Sequence, residues 1–429
     1  MIKTTLLYLL LFLAVDVMAE NRFPKPQFEK GYELPQTAVQ SPREAILEYA
    51  DVAVLFGTLS LATWLVLKKR SRKGVFLLSF FSVIYFGFWR KGCICSIGAI
   101  QNVTLWLFDS QYVLSFTATA FFILPLIFAL LFGRVFCAAV CPLGGIQDLM
   151  ILFPVRLPRL VVTLLKIVPY IYLGLGILFA AVGAAFVICR FDPFVPLFRL
   201  SGDLPIVLFG IVLLLVGVFV ARPYCRFMCP FGVLLNWSSR LSKWHATISP
   251  DECVECRLCE ESCPFDAIIT PNKGQVSEER SSGVQRLARL LLLMPVLVLL
   301  AGWSVSRLDA VFSRISPDVQ LATAFQQNDK IRLKMMAYEV EAFEGSGIKK
   351  EELFLRAKAI QERFRIGGWF VGGFIGAVLV IGLIGVSVRR TRMTYEPDRG
   401  DCLSCARCFI SCPKERQRLK VMPPVEGKT

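Results

Sequence analysis

The sequence has a single histidine, His245, in 429 residues. That excludes a bis-histidine haem within one chain and any histidine-rich zinc or copper site. No Cys-x-x-Cys-His run offers attachment to a c-type haem. Acids are also scarce: 33 Asp and Glu stand against 48 Lys and Arg, for a formal net charge of +15. No basic domain stands apart from the apolar runs. The excess therefore reads as membrane topology, and nucleic acid is not expected as a partner. Only 19% of residues are charged and 55% are hydrophobic, with a mean hydropathy of +0.58. An ordinary soluble domain is excluded, and a mainly α, polytopic helical membrane protein is the expected fold class. Cysteine, by contrast, is plentiful, with fifteen residues. Without histidine, thiolate-only sites remain, and iron–sulfur clusters are the main such class.

The chain divides by composition. Residues 1–19 read as a signal peptide, with Lys3 at the start, an apolar core over 6–15 and Val17-Met18-Ala19 as the cleavage motif. An uncleaved first helix is the alternative. A polar stretch, 20–48, follows and is expected outside the cytoplasm. Residues 49–245 read as a five-span membrane core, with spans over 49–67, 74–89, 113–132, 160–187 and 204–221. The basic run Lys68-Lys69-Arg70-Ser71-Arg72-Lys73 fixes the end of the first span inside. A sixth span, 287–303, and a seventh, 367–388, flank a polar helical segment, 304–366, expected outside. Within it Ser316-Pro317-Asp318 reads as a helix start. That segment is either a spacer or a docking surface for a partner. Seven crossings from an outside start put the C-terminus inside, as Arg389, Arg390 and Arg392 also indicate.

Two cysteine runs carry the strongest chemistry. One is Cys253-x2-Cys256-x2-Cys259-x3-Cys263-Pro264, in the half-domain 246–286. The other is Cys402-x2-Cys405-x2-Cys408-x3-Cys412-Pro413, in the half-domain 389–429. Tight spacing lets three thiolates come from one loop, and in two-cluster ferredoxins the fourth Cys ligates the other cluster. That pattern assigns Cys253, Cys256, Cys259 and Cys412 to one [4Fe–4S] cluster, and Cys402, Cys405, Cys408 and Cys263 to the other. The competing arrangement is two independent sites, each with its own four thiolates. Two spans separate the runs, and two crossings return the chain to the same side, so a shared domain is allowed. Zinc usually takes two pairs with a longer spacer, and disulfides do not suit the expected compartment.

A repeat lies in the membrane core. Arg134-x2-Cys137-x3-Cys141-Pro142 follows the third span, and Arg222-x2-Cys225-x3-Cys229-Pro230 follows the fifth. Spacing of i and i+4 puts each pair on one helix face, and Pro then ends or kinks the helix. Two such pairs across a pseudo-twofold axis would offer four thiolates. A third cluster or a metal site is one reading; redox-active thiols or a helix-end motif is the other. Cys93, Cys95 and Cys189 fall at the opposite membrane face. A disulfide such as Cys93 to Cys189 is one reading. The other is a further metal or cluster station, with Asp192 as a non-Cys ligand, because a core of about 30 Å is wide for a single electron hop. Arg134, Arg190 and Arg222 would offset thiolate charge near lipid.

The paired Cys-x3-Cys-Pro turns followed by ferredoxin runs resemble the NosR/NapH family of membrane polyferredoxins. The resemblance covers about 74–264 and the last motif. It implies electron transfer between the membrane or cytoplasm and periplasmic redox enzymes, such as the nitrous oxide and nitrate reductase systems. It does not assign the Cys-x3-Cys-Pro pairs. The chain departs from the NosR branch in showing no flavin-binding domain before its first span, so flavin is expected only through a partner subunit. The expectation is a multi-pass electron-transfer subunit of the bacterial cytoplasmic (inner) membrane, with its ferredoxin domain in the cytoplasm. It would run between a cytoplasmic or quinol donor and a periplasmic redox protein. A membrane quinone or metal-ion reductase acting at the Cys-x3-Cys-Pro site, and a redox-sensing regulatory or assembly factor, are the alternatives.

Overall fold

The computed structural model describes residues 44–92, 95–248, 253–272, 280–387 and 394–418. The expected signal peptide, most of the polar stretch after it, Cys93 and the basic run Arg389, Arg390 and Arg392 lie outside the described residues. Of the described residues, 72% are helical. In a lipid environment each backbone polar group must be paired within its own segment, and long apolar runs satisfy this as helices. Four helical stretches are long and apolar enough to cross a membrane: Ala45–Lys68, Leu160–Val182, Ser281–Ser306 and Lys350–Gly385. Three further apolar helices are shorter: Ser96–Phe108, Phe116–Phe132 and Leu204–Gly217.

The main helices are α1 (Ala45–Thr63), α2 (Arg72–Ser82), α3 (Ser96–Phe108), α4 (Phe116–Phe132), α5 (Pro142–Leu149), α6 (Val168–Val182), α7 (Leu204–Gly217) and α8 (Pro230–Arg240). They continue as α9 (Arg280–Ser306), α10 (Pro317–Gln326), α11 (Lys330–Met335), α12 (Ala337–Gly345) and α13 (Lys350–Ser387). α1 and α2 each run on into π-helical turns, Trp64–Lys68 and Val83–Trp89. α3 was not expected from the sequence, where its residues fall between two spans. α1 also buries a carboxylate completely. Asp51 accepts a hydrogen bond from Tyr85 Oη at 2.8 Å and pairs with Arg90 Nε at 3.0 Å. An unpaired charge would be costly there, and Arg90 at the end of the second helix supplies the counter-charge.

α9 and α13 pack side by side and carry the chain away from the first ferredoxin run and back with the second. The contact is made through Gly368, Gly372 and Gly376, one helical turn apart. A Cβ on Gly372 would lie 2.2 Å from Ala301 O. Small residues at this spacing let two membrane helices approach to backbone contact. Between the two helices, α10–α12 fold onto the start of α13 around Val319, Leu321, Leu353 and Ala357. Ser316 takes the N-cap position of α10 with Pro317 at N1, as expected, but its side chain makes no cap hydrogen bond. Asp329 does cap α11, accepting from Ile331 N and Arg332 N.

The two ferredoxin halves meet. β1 (Ile268–Ile269) pairs antiparallel with β2 (Glu396–Pro397), in the register Ile268 to Pro397 and Ile269 to Glu396. Asp398 N extends the contact, donating to Ala267 O at 2.8 Å. The basic run after α1 touches the second half. Arg70 Nη1 pairs with Glu415 Oε2 at 2.7 Å, and Arg72 Nη1 donates to Cys405 O at 3.3 Å.

Candidate iron–sulfur centre

The two ferredoxin loops share one backbone device. Glu255 and Arg257 flank Cys256 with φ of 52° and 62°, and Ser404 and Ala406 flank Cys405 with 53° and 62°. Non-glycine residues hold this left-handed region only under tertiary constraint, and such positions cluster at functional sites. Here the paired turns wrap each loop around its own three thiols. Cys253, Cys256, Cys259 and Cys412 line one recess with Ile248, Tyr395 and Lys414, around about 480 Å³ of atom-free space that is partly open to solvent. Cys402, Cys405, Cys408 and Cys263 gather beside it, within electrostatic reach of one another. Thus each loop of three has the fourth cysteine of the other run beside it.

Burial pushes the Cys402 thiol up to about 12 and Cys259 up to about 11, and it raises Cys263 as well. Thiols in this state are poor thiolates on their own, and a metal must supply the charge that keeps them deprotonated. The residues therefore fit an iron–sulfur cluster. Among the described residues, no group of three or more His, Cys, Asp or Glu is drawn close enough for a single metal ion. A cubane spaces its thiolates more widely than one ion does.

The Cys-x3-Cys-Pro pairs also converge. They do not sit on one α-helix face each, as i and i+4 spacing suggested. Cys137 lies in a π-helical turn, Phe136–Val140, and Cys225 in a short helix, Pro223–Phe227. Cys141 and Cys229 take extended backbone and become the N-caps of α5 and α8, with Pro142 and Pro230 at N1. The physical reason is proline, which suits the first helical position and stops the helix before it. Cys141 is within electrostatic reach of Cys225, Cys137 and Cys229. Three of the four sulfurs accept hydrogen bonds: Cys137 Sγ from Arg134 Nη2 at 3.7 Å, Cys225 Sγ from Gln147 Nε2 at 3.2 Å and Cys229 Sγ from Gly232 N at 3.3 Å.

Cys95 takes the N-cap position of α3, lines one recess with Cys141, and lies near Asp192 and Cys189. Cys189 N donates to Gln101 Oε1 at 3.1 Å. Asp192 is buried and accepts from Phe194 N at 2.9 Å and from Tyr224 Oη at 3.5 Å. Tyr224 N in turn donates to Gln147 Oε1 at 3.0 Å. A polar chain thus runs from the Cys95 and Cys189 end to the Cys225 turn. Cys93, expected in this group, is outside the described residues.

Sequence reading missed Asp148. Its carboxylate is buried and meets three guanidiniums: Arg72, Arg222 at 3.3 Å and Arg407 at 3.2 Å. An acid so close behind Cys-Pro in an apolar core was the available signal. Burial alone would raise its carboxyl, but Arg222, Arg72 and Arg407 hold it down to about 2. Its stabilising contribution is complete above the ordinary carboxylate value of roughly 3.9 and is lost as pH falls through the folded-state value. Asp148→Ala leaves buried guanidiniums without their counter-charge. It is expected to cost about 3–5 kcal/mol, read as a lowered thermal unfolding transition of the purified protein.

A family model described as a 4Fe-4S binding domain matches twice, over residues 114–160 and 203–249, and so falls on both copies of the Cys-x3-Cys-Pro repeat. A second 4Fe-4S binding domain model matches 246–269, the first ferredoxin run. An uncharacterized protein of Methanocaldococcus jannaschii is 28% identical over 201 residues, 45% of this chain and 82% of its own. Protein NirI of Paracoccus denitrificans is 30% identical over 256 residues, 53% of this chain and 36% of NirI. Regulatory protein NosR of Stutzerimonas stutzeri is 29% identical over 216 residues, 47% of this chain and 29% of NosR. The matched regions thus span only about a third of the NirI and NosR chains. No solved structure matches. Both repeat copies and the first ferredoxin run are thus similar to 4Fe-4S binding domains, and about half of the chain is similar to parts of NirI and NosR.

Proposed function

We propose that this protein is an electron-transfer subunit of the bacterial cytoplasmic membrane, built on two [4Fe–4S] clusters with crossed ligation. Cys253, Cys256, Cys259 and Cys412 hold one, and Cys402, Cys405, Cys408 and Cys263 hold the other. The observation that carries this reading is the entry of Cys412 into the recess of Cys253, Cys256 and Cys259, although two long apolar helices separate them in sequence. When bound, such clusters accept and release single electrons. The chain's own contribution is to fix the spacing of the thiols, with Cys259 and Cys405 buried. The contacts of Arg70 and Arg72 with the second half support a cytoplasmic ferredoxin domain, because a basic run of this kind is retained inside.

A third centre at Cys137, Cys141, Cys225 and Cys229 is favoured by the hydrogen bonds that converge on three of those sulfurs. Cys95 and Cys189, with Asp192, form the next group toward the opposite face. An acceptor there would be a periplasmic redox protein, with flavin, if used, on that partner, and the donor a cytoplasmic protein or a quinol. A redox-sensing role is the second reading, in view of the similarity to regulatory protein NosR. Iron and acid-labile sulfide per chain, measured on anaerobically purified protein, test the proposal. About eight irons are expected for two cubanes, and clearly more if the membrane thiols bind iron too. Protein free of iron would refute the carrier function.

A further inference from the structure

We propose that Arg134 and Arg222 are paired positioning residues that clamp the Cys402–Cys408 loop onto the Cys-x3-Cys-Pro turns and raise the reduction potential of the centre held by that loop. The proposal rests on the reading that this loop ligates a cluster. The two arginines occupy matching positions of the internal repeat, three residues before Cys137 and Cys225. Each crosses to the other copy. Arg222 Nη1 donates to Cys137 O, and Arg222 Nη2 to Ala138 O at 3.4 Å. A Cβ on Gly144 would lie 3.2 Å from Arg222 Nη1, and one on Gly232 3.3 Å from Arg134 Nη2. The glycine after each Cys-Pro-x is therefore the floor on which the other copy's guanidinium rests.

Both arginines also reach the second ferredoxin loop. Arg134 Nη1 donates to Gly400 O at 3.0 Å, just before Cys402. Arg222 shares Asp148 with Arg407, which lies between Cys405 and Cys408. Arg222 is wholly buried and Arg134 is 6% exposed. Among the described residues, neither Nε has a hydrogen-bond partner. Arg222 also sits at φ 47°, a left-handed conformation that an arginine keeps only when its surroundings hold it there.

The charges do not cancel. Among the described residues, Arg72, Arg134, Arg222 and Arg407, with Lys166, meet Asp148 and Asp401, and Asp266, paired with Arg226, adds one carboxylate near Cys263. The repeat is asymmetric in this respect. Asn236 stands where the first copy has Asp148, and the acid on that side is instead Asp401, to which Asn236 Nδ2 donates at 3.4 Å. Buried charges are weakly screened. Adding an electron to a thiolate-bound centre makes it more negative, so a net cationic surround favours the reduced form.

The test is an EPR-monitored redox titration of the full-length protein in lipid nanodiscs, with dithionite as reductant. Arg222→Gln is expected to weaken reduction of one ferredoxin-type signal about tenfold, a fall of about 59 mV for one electron. Arg222→Lys is expected to keep most of the wild-type value. Asn236→Asp adds a carboxylate while leaving both arginines in place, and it is expected to lower the same midpoint even if Arg222→Gln does not fold. Arg356→Gln, in an exposed ion pair near the start of α13 and distant from the second ferredoxin loop that follows its end, should leave both midpoints unchanged. Variants with full iron and both signals at wild-type midpoints would overturn the clamp. Wild-type protein without a cluster on the Cys402 loop would instead overturn the reading beneath it.

Discussion

A chain carrying both Cys253→Ala and Cys412→Ala is expected to keep about four irons and one of its two ferredoxin signals. The two positions lie at opposite ends of different motifs. If each motif ligated its own cluster, both sites would lose a ligand and both clusters would be compromised. With crossed ligation, both substitutions fall on one site, and the site of Cys402, Cys405, Cys408 and Cys263 stays complete. The pair Cys253→Ala and Cys263→Ala reverses the logic. Both changes lie in the first motif, yet they strike different sites, and about eight irons are expected to fall to few or none. Iron per chain and EPR of the reduced protein read both outcomes. The recess that contains Cys412 with the first loop, and the grouping of Cys263 with Cys402, Cys405 and Cys408, are the basis for the expectation.

Gly372→Val is expected to remove both clusters without touching a single cysteine. A Cβ at Gly372 would lie 2.2 Å from Ala301 O and 2.7 Å from Gly302 Cα. Those are backbone atoms and cannot swing aside. Overpacking a soluble core typically costs about 1–3 kcal/mol, and a backbone clash in the middle of a membrane helix pair leaves separation as the relief. α13 is the element that delivers Cys402–Cys412 to the first motif. If it moves from α9, Cys412 leaves one site and Cys263 loses its companions at the other. Gly382 is on the same helix and a Cβ there meets nothing within 4 Å. Gly382→Val is therefore expected to retain full iron. The contrast separates a helix-pair effect from a general intolerance of valine in this helix.

Much of this was legible in the sequence. The apolar runs and the scarcity of charge gave the helical membrane class, and Cys-x2-Cys-x2-Cys-x3-Cys-Pro written twice gave the iron–sulfur chemistry. The return of the chain through two membrane-capable helices made a shared domain arguable from the sequence. Other features were not readable. Ser96–Phe108 is too short for the length criterion that marks a span. The i and i+4 rule described Cys137 and Cys141 as one helix face, but proline at N1 divides each pair between two helices. Asp148 and Asp401 carry no motif. Their importance comes from arginines brought to them by α2, by the repeat and by the second ferredoxin loop, and such convergence is a property of tertiary structure. The pairing of Arg90 with Asp51 was not readable either, because the two lie in different elements.

The most direct measurement is the EPR spectrum of the fully reduced, anaerobically purified protein. Cys259 of one site and Cys408 of the other lie close enough to interact, so the two paramagnetic centres should broaden each other's signals. Cys412→Ala should collapse that spectrum to one simple, uncoupled signal. Two narrow signals that ignore each other in the wild type, with Cys412→Ala erasing the centre of the Cys402 loop alone, would contradict the shared domain.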